Sequence, residues 1–99
     1  MAETTYIREA ETENEAGDRI LLYYHTNEKK IKNSSGESIR YGVSITMYTQ
    51  RMGERTRCEK KSMEGIFATL NEARRFIDVL WSGLVTPITL EDIVADCVG

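Results

Sequence analysis

The chain has 99 residues, 40% of them apolar and 29% charged, with one Pro and a formal net charge of −3. That length holds one domain with one modest core and leaves no room for separate cofactor and substrate domains. The composition excludes a disordered or collagen-like chain, and no apolar run is long enough for a helix that crosses a membrane.

Residues 1–3 are expected to fray. Thr4 to Thr12 carries enough β-formers for a short first strand, and Glu9, Glu11 and Glu13 recur at period two, which puts them on one face. Glu15 to Asp18 supplies turn residues. Arg19 to Thr26 (RILLYYHT) reads as a strand, short and rich in β-formers. Ile20, Leu22 and Tyr24 fall on one side of it and Leu21, Tyr23 and His25 on the other, which suits a central position. Asn27 to Ser38 reads as a polar loop with Asn-Ser-Ser-Gly at its tip. In Ile39 to Gln50, Tyr41, Val43, Ile45 and Met47 alternate with Gly42, Ser44, Thr46 and Tyr48, the pattern of a half-buried antiparallel strand. Met52-Gly53-Glu54 turns the chain. Arg55 to Met63 is a charged strand whose Lys60 and Lys61 suit an edge.

The period then changes. Thr69 and Glu72 form a capping box, and Leu70, Ala73, Phe76, Ile77, Leu80 and Trp81 make one apolar stripe of a helix. Gly83 is placed to end it at C′, with Leu84 packing back on Leu80. Pro87 blocks continuation. Thr89 caps a second, short helix with Glu91 and Asp92 in its first turn and Leu90, Ile93, Val94 and Cys97 on one side. Strands in series followed by helices predict a single α+β domain over residues 1–99. It is an antiparallel meander of three or four strands with both helices on one face.

Charge is unevenly spread. Residues 1–18 carry six acids and one base, residues 19–65 ten bases and five acids, and residues 66–99 five acids and two bases. The middle is locally basic, while the whole chain repels polyanions. The N-terminus has no basic segment followed by an apolar one, so no secretion signal is read there. Cys58 and Cys97 lie in no metal or redox spacing, which makes the cytoplasm the expected compartment and reduced thiols the expected state.

The Tyr41-Gly42-Val43-Ser44-Ile45 strand, the Arg-Arg-Phe-Ile helix and the closing Val85-Thr86-Pro87-Ile88-Thr89-Leu90-Glu91-Asp92-Ile93-Val94-Ala95-Asp96 segment carry a likeness. They resemble a family of short, uncharacterised proteins (a domain of unknown function) from anaerobic Gram-positive bacteria. That resemblance covers most of the chain from Arg19 onward and implies a bacterial, cytosolic protein. It brings no catalytic or ligand residues.

The residues themselves offer little chemistry. His25 is the single histidine, and a triad needs a base and an orienter beside a nucleophile. Glu91, Asp92 and Asp96 cluster on the last helix, but Glu91 and Asp92 are explained by the helix dipole without a metal. No phosphate loop occurs among the seven glycines. The chain is therefore expected to be no enzyme and to hold no cofactor or metal. Arg51, Arg55, Arg57, Lys60 and Lys61 gather in or beside one hairpin, with Tyr48 nearby. An aromatic-studded basic sheet can stack nucleic-acid bases, but Glu54, Glu59 and Glu64 interrupt this one. The expected function is a small protein-interaction or regulatory module, with nucleic-acid binding through residues 51–61 as the alternative. Tyr23, Tyr48, Arg55, Arg57 and Lys61 form the candidate binding surface. The expected partner is a protein, including a second copy joined through a sheet edge, and neither nucleic acid nor membrane is expected.

Overall fold

Four antiparallel strands lie side by side, and the two central ones carry the period-two apolar pattern in their inner halves. The four are β1 (Ile7–Glu13), β2 (Arg19–Asn33), β3 (Gly36–Gln50) and β4 (Arg57–Phe67), in the order β1-β2-β3-β4. Helix α1 (Leu70–Ser82) follows, then one 3₁₀ turn at Pro87–Thr89 and helix α2 (Leu90–Val98). This computed structural model describes the backbone of residues 5–98 and the side chains of residues 5–95. The fraying expected at residues 1–3 and the thiol of Cys97 lie outside the described residues. The fold is the expected α+β meander, with four strands.

The core lies between one sheet face and the helices. Ile20, Leu22, Tyr24, Val43 and Ile45 come from the sheet, Phe76, Ile77 and Leu80 from α1, and Leu90 and Val94 from α2. All ten are at most 7% exposed. Register sets Tyr24 opposite Ile45 and Thr26 opposite Val43, so the even positions of β2 and the odd positions of β3 share the single face that supplies them all. The Tyr24 hydroxyl crosses this core to donate to the Val85 carbonyl at 2.9 Å, and burial pushes its pKa up to about 12.

The helix ends follow from local chemistry. The Thr69 hydroxyl oxygen accepts from the Glu72 N–H at 3.2 Å, and its O–H donates to the Glu72 carboxylate. The capping box thus closes through the hydroxyl. At the other end Leu84 donates to the Trp81 carbonyl and Val85 to that of Leu80, a Schellman pattern. The left-handed residue in it is Leu84, at φ 50, rather than the expected Gly83, which sits at φ −94. Val85 joins the core, while Leu84 is left 44% exposed. Thr89 does not cap α2 as expected. Its hydroxyl donates to the Thr86 carbonyl within the 3₁₀ turn.

The largest departure is at Asn27 to Ser38. It is no loop but the outer half of a β2–β3 hairpin, paired down to Asn33 opposite Gly36. Ser34 and Ser35 alone form the turn, with Asn33 Oδ1 accepting from the Ser35 N–H at 3.0 Å and Gly36 at φ 125. Both faces of this ribbon are wet, so its sequence shows no apolar alternation to reveal it. The strand bounds move similarly: β1 runs from Ile7 to Glu13, past Thr12, with the expected start at Thr4 outside the described residues, and β4 runs from Arg57 to Phe67 rather than Arg55 to Met63.

Candidate functional site

Among the described residues the helices cover one face of the sheet and leave the other open. Register fixes which residues stand there. Three rows run straight across the four strands: Ile7–His25–Ser44–Ser62, Glu9–Tyr23–Thr46–Lys60 and Glu11–Leu21–Tyr48–Cys58. Side chains in neighbouring rows of the same parity share a face. Tyr23 and Tyr48 sit diagonally across β2 and β3, ring centroids 5.7 Å apart and planes at 83°. This edge-to-face geometry leaves both half-buried. Leu21 lies beside them, and Glu9, Glu11, Leu21 and Tyr23 line a shallow depression of about 260 Å³.

A polar relay marks one end of the open face. Asn27 donates to Ser44 Oγ at 3.0 Å, and the Ser44 and Ser62 hydroxyls are 2.8 Å apart. Here Gly42 lets two strands close in: a Cβ on it would stand 2.0 Å from the Met63 carbonyl oxygen and 2.6 Å from Asn27 Oδ1. The β3–β4 register shifts between Tyr41 and Val43, so a bulge forms where the side chain is missing. His25 is across from Ser44, yet its ring Nδ1 faces the Thr26 carbonyl at 3.4 Å. Ser44 is 2% exposed and its hydroxyl is already engaged.

The candidate surface read from the sequence is divided. Tyr23 and Tyr48 do come together on the open face. Arg57 and Lys61 have the opposite parity to Cys58 and Lys60, and Lys61 pairs with Glu91 of α2 beneath the sheet. Arg55 lies in the β3–β4 turn. Arg51 holds Asp18 through two bonds of 3.1 Å and also pairs with Glu54. The Asp18 side chain is only 6% exposed, and the bonds from Arg51 and then Asn14 hold its carboxyl below the usual range. Arg51, Arg55, Arg57 and Lys61 therefore surround one end of the sheet and its helix side, apart from the tyrosines, while Lys60 shares the open face with them.

Both sheet edges are blunted. Trp81 of α1 donates its indole N–H to the Glu9 carbonyl of β1 at 2.8 Å. Tyr6 and Arg8 both donate to Asp78, at 2.8 and 3.1 Å, and lower its pKa in that order. The Arg8 guanidinium also stacks 4.2 Å above the Trp81 ring. At the far edge, β4 carries Arg57, Lys60 and Lys61. The β1–α1 clamp escaped the sequence reading, since its members lie about 70 positions apart and follow no period.

Comparison with known proteins adds one relation. The model of a family of unknown function, DUF6514, matches residues 3–99. The chain belongs to that family. No curated protein and no solved structure matches it. The DUF6514 match spans the sheet and both helices, so the open face is part of the family domain. Among the described residues no helix is long and apolar enough to cross a membrane.

Proposed function

We propose that this DUF6514 protein is a small non-catalytic module of the bacterial cytoplasm that binds protein through the open face of its sheet. The observation that carries this reading is the Tyr23–Tyr48 pair with Leu21 on a face that no helix covers. Tyrosines offer large, stiff contact area with a polar tip, and they are favoured where proteins meet. Blunted edges leave the face as the better place to dock. The engaged Ser44 hydroxyl and the His25 ring turned to a backbone carbonyl support a non-catalytic role. An exposed free thiol at Cys58 suits a reducing compartment.

The test compares three baits in native lysate: the unchanged protein, Tyr48→Glu on the open face and Val79→Glu on the exposed side of α1. A partner kept by Val79→Glu and lost by Tyr48→Glu supports the reading. Equal binding by all three overturns it. Salt-sensitive binding of single-stranded RNA or duplex DNA, abolished by Arg55→Glu/Arg57→Glu/Lys61→Glu, overturns it in favour of nucleic acid.

A further inference from the structure

The open face is complementary to itself. Within its three rows the acids stand on β1 (Glu9, and Glu11, which pairs with Arg19) and the lysine on β4 (Lys60), with the aromatic centre between them. Glu9 and Lys60 lie in the same row, at its two ends, and neither makes an ion pair among the described residues. A two-fold axis parallel to the strands, between β2 and β3, maps each row onto itself reversed. It lays β1 of one copy over β4 of the other.

We infer that the occupant of the open face is a second copy of this chain, stacked about that axis. This rests on the reading of the face as a protein-docking surface. In this arrangement Glu9 of each copy meets Lys60 of the other, and Leu21 meets Tyr48. The alternative axis, across the strands, lays β1 over β1 and sets the glutamates against each other. Charge therefore selects the orientation. Stacked sheets of this kind cross at about 30°, which moves an edge strand by about one residue and keeps the acidic row within reach of Lys60. Four strands about 4.8 Å apart and three rows about 6.8 Å apart give a flat patch of roughly 400 Å² per copy. The pair then buries about 800 Å² in all, below the roughly 1,200–2,000 Å² of stable interfaces, so the dimer is weak and concentration-dependent.

Sedimentation velocity from about 1 μM to about 1 mM, at low and at high salt, reads the association. The unchanged protein is expected to pass from monomer to dimer across that range. Glu9→Lys and Lys60→Glu, both at exposed positions, should each weaken the dimer about tenfold or more. The double variant should regain it. Most tellingly, the two single variants mixed together should pair with each other, since each then offers what the other lacks. A protein still monomeric at the highest concentration overturns the inference, as does a mixture that fails to pair. If the unchanged protein stays monomeric while Tyr48→Glu still loses a cellular partner, self-stacking falls and the docking reading survives.

Discussion

The two faces of β2 and β3 are built on the same backbone and meet different fates. On one, Leu22, Tyr24, Val43 and Ile45 are at most 1% exposed beneath the helices. On the other, Leu21, Tyr23 and Tyr48 are half-buried, with the tyrosines packed edge to face and Glu9 and Glu11 beside them. Full burial of a large apolar side chain is worth about 1.5–3 kcal/mol, and partial shelter earns a fraction of that. The covered face thus accounts for the fold, and the open face keeps apolar residues that folding does not require. Parity along a strand separates the residues packed beneath the helices from those left on the open face.

That contrast breaks most sharply at the lid. Leu80 is fully buried in α1 among the sheet residues. Leu80→Ala should cost about 2–5 kcal/mol, read from urea midpoints. A loss under about 1 kcal/mol would mean that α1 does not close the covered face. A second large effect belongs to the backbone between the faces. Gly42→Ala forces a methyl onto the Met63 carbonyl, so β3 and β4 must part locally. The expected loss is about 1–3 kcal/mol, with increased amide exchange around Met63 and Glu64 and little change in α1.

How much of this was legible depended on period. Tyr41 to Tyr48 alternates cleanly, and its period gives the two faces, as the helical period gives the α1 stripe and Thr69 with Glu72 gives its cap. Lys29, Lys30 and Lys32 carry no strand signal, because a ribbon wet on both sides imposes no alternation. Leu84 hid its left-handed backbone because the neighbouring Gly83 is the residue that convention assigns to it. The candidate site was half visible. Parity placed Tyr23 and Tyr48 on their face, but their meeting depends on the β2–β3 register, which one strand alone cannot supply. The separation of Arg57 and Lys61 from them depends likewise on the β3–β4 register.

The open face should respond gently to change. A double-mutant cycle on Tyr23→Ala and Tyr48→Ala should give a coupling of about 0.5–1.5 kcal/mol in thermal or urea unfolding of the monomer at low concentration. The single losses should stay well below that of Leu80→Ala. A loss at Tyr23 equal to the Leu80 loss would mean that the open face also holds the fold together, and would end the division by parity.

The smallest effects test where the lid stops. Leu84 adopts φ 50, a region that costs a side chain about 1 kcal/mol, while Gly83 beside it adopts φ −94, open to any residue. Comparing Leu84→Gly with Leu84→Ala cancels most of the lost Leu packing and leaves the backbone preference. The Gly variant should be the more stable by about 1 kcal/mol. At Gly83 the sign reverses. A methyl there meets only ordinary contacts, 3.6 Å from Val79 O and from Val85, so Gly83→Ala should be neutral or stabilise by up to about 0.5 kcal/mol. Melting temperatures of the three variants decide it. If Gly83→Ala loses more than Leu84→Ala relative to Leu84→Gly, the left-handed turn belongs to Gly83. The chain would then leave α1 one residue earlier, and Val85 would not reach the Leu80 carbonyl that closes the covered face.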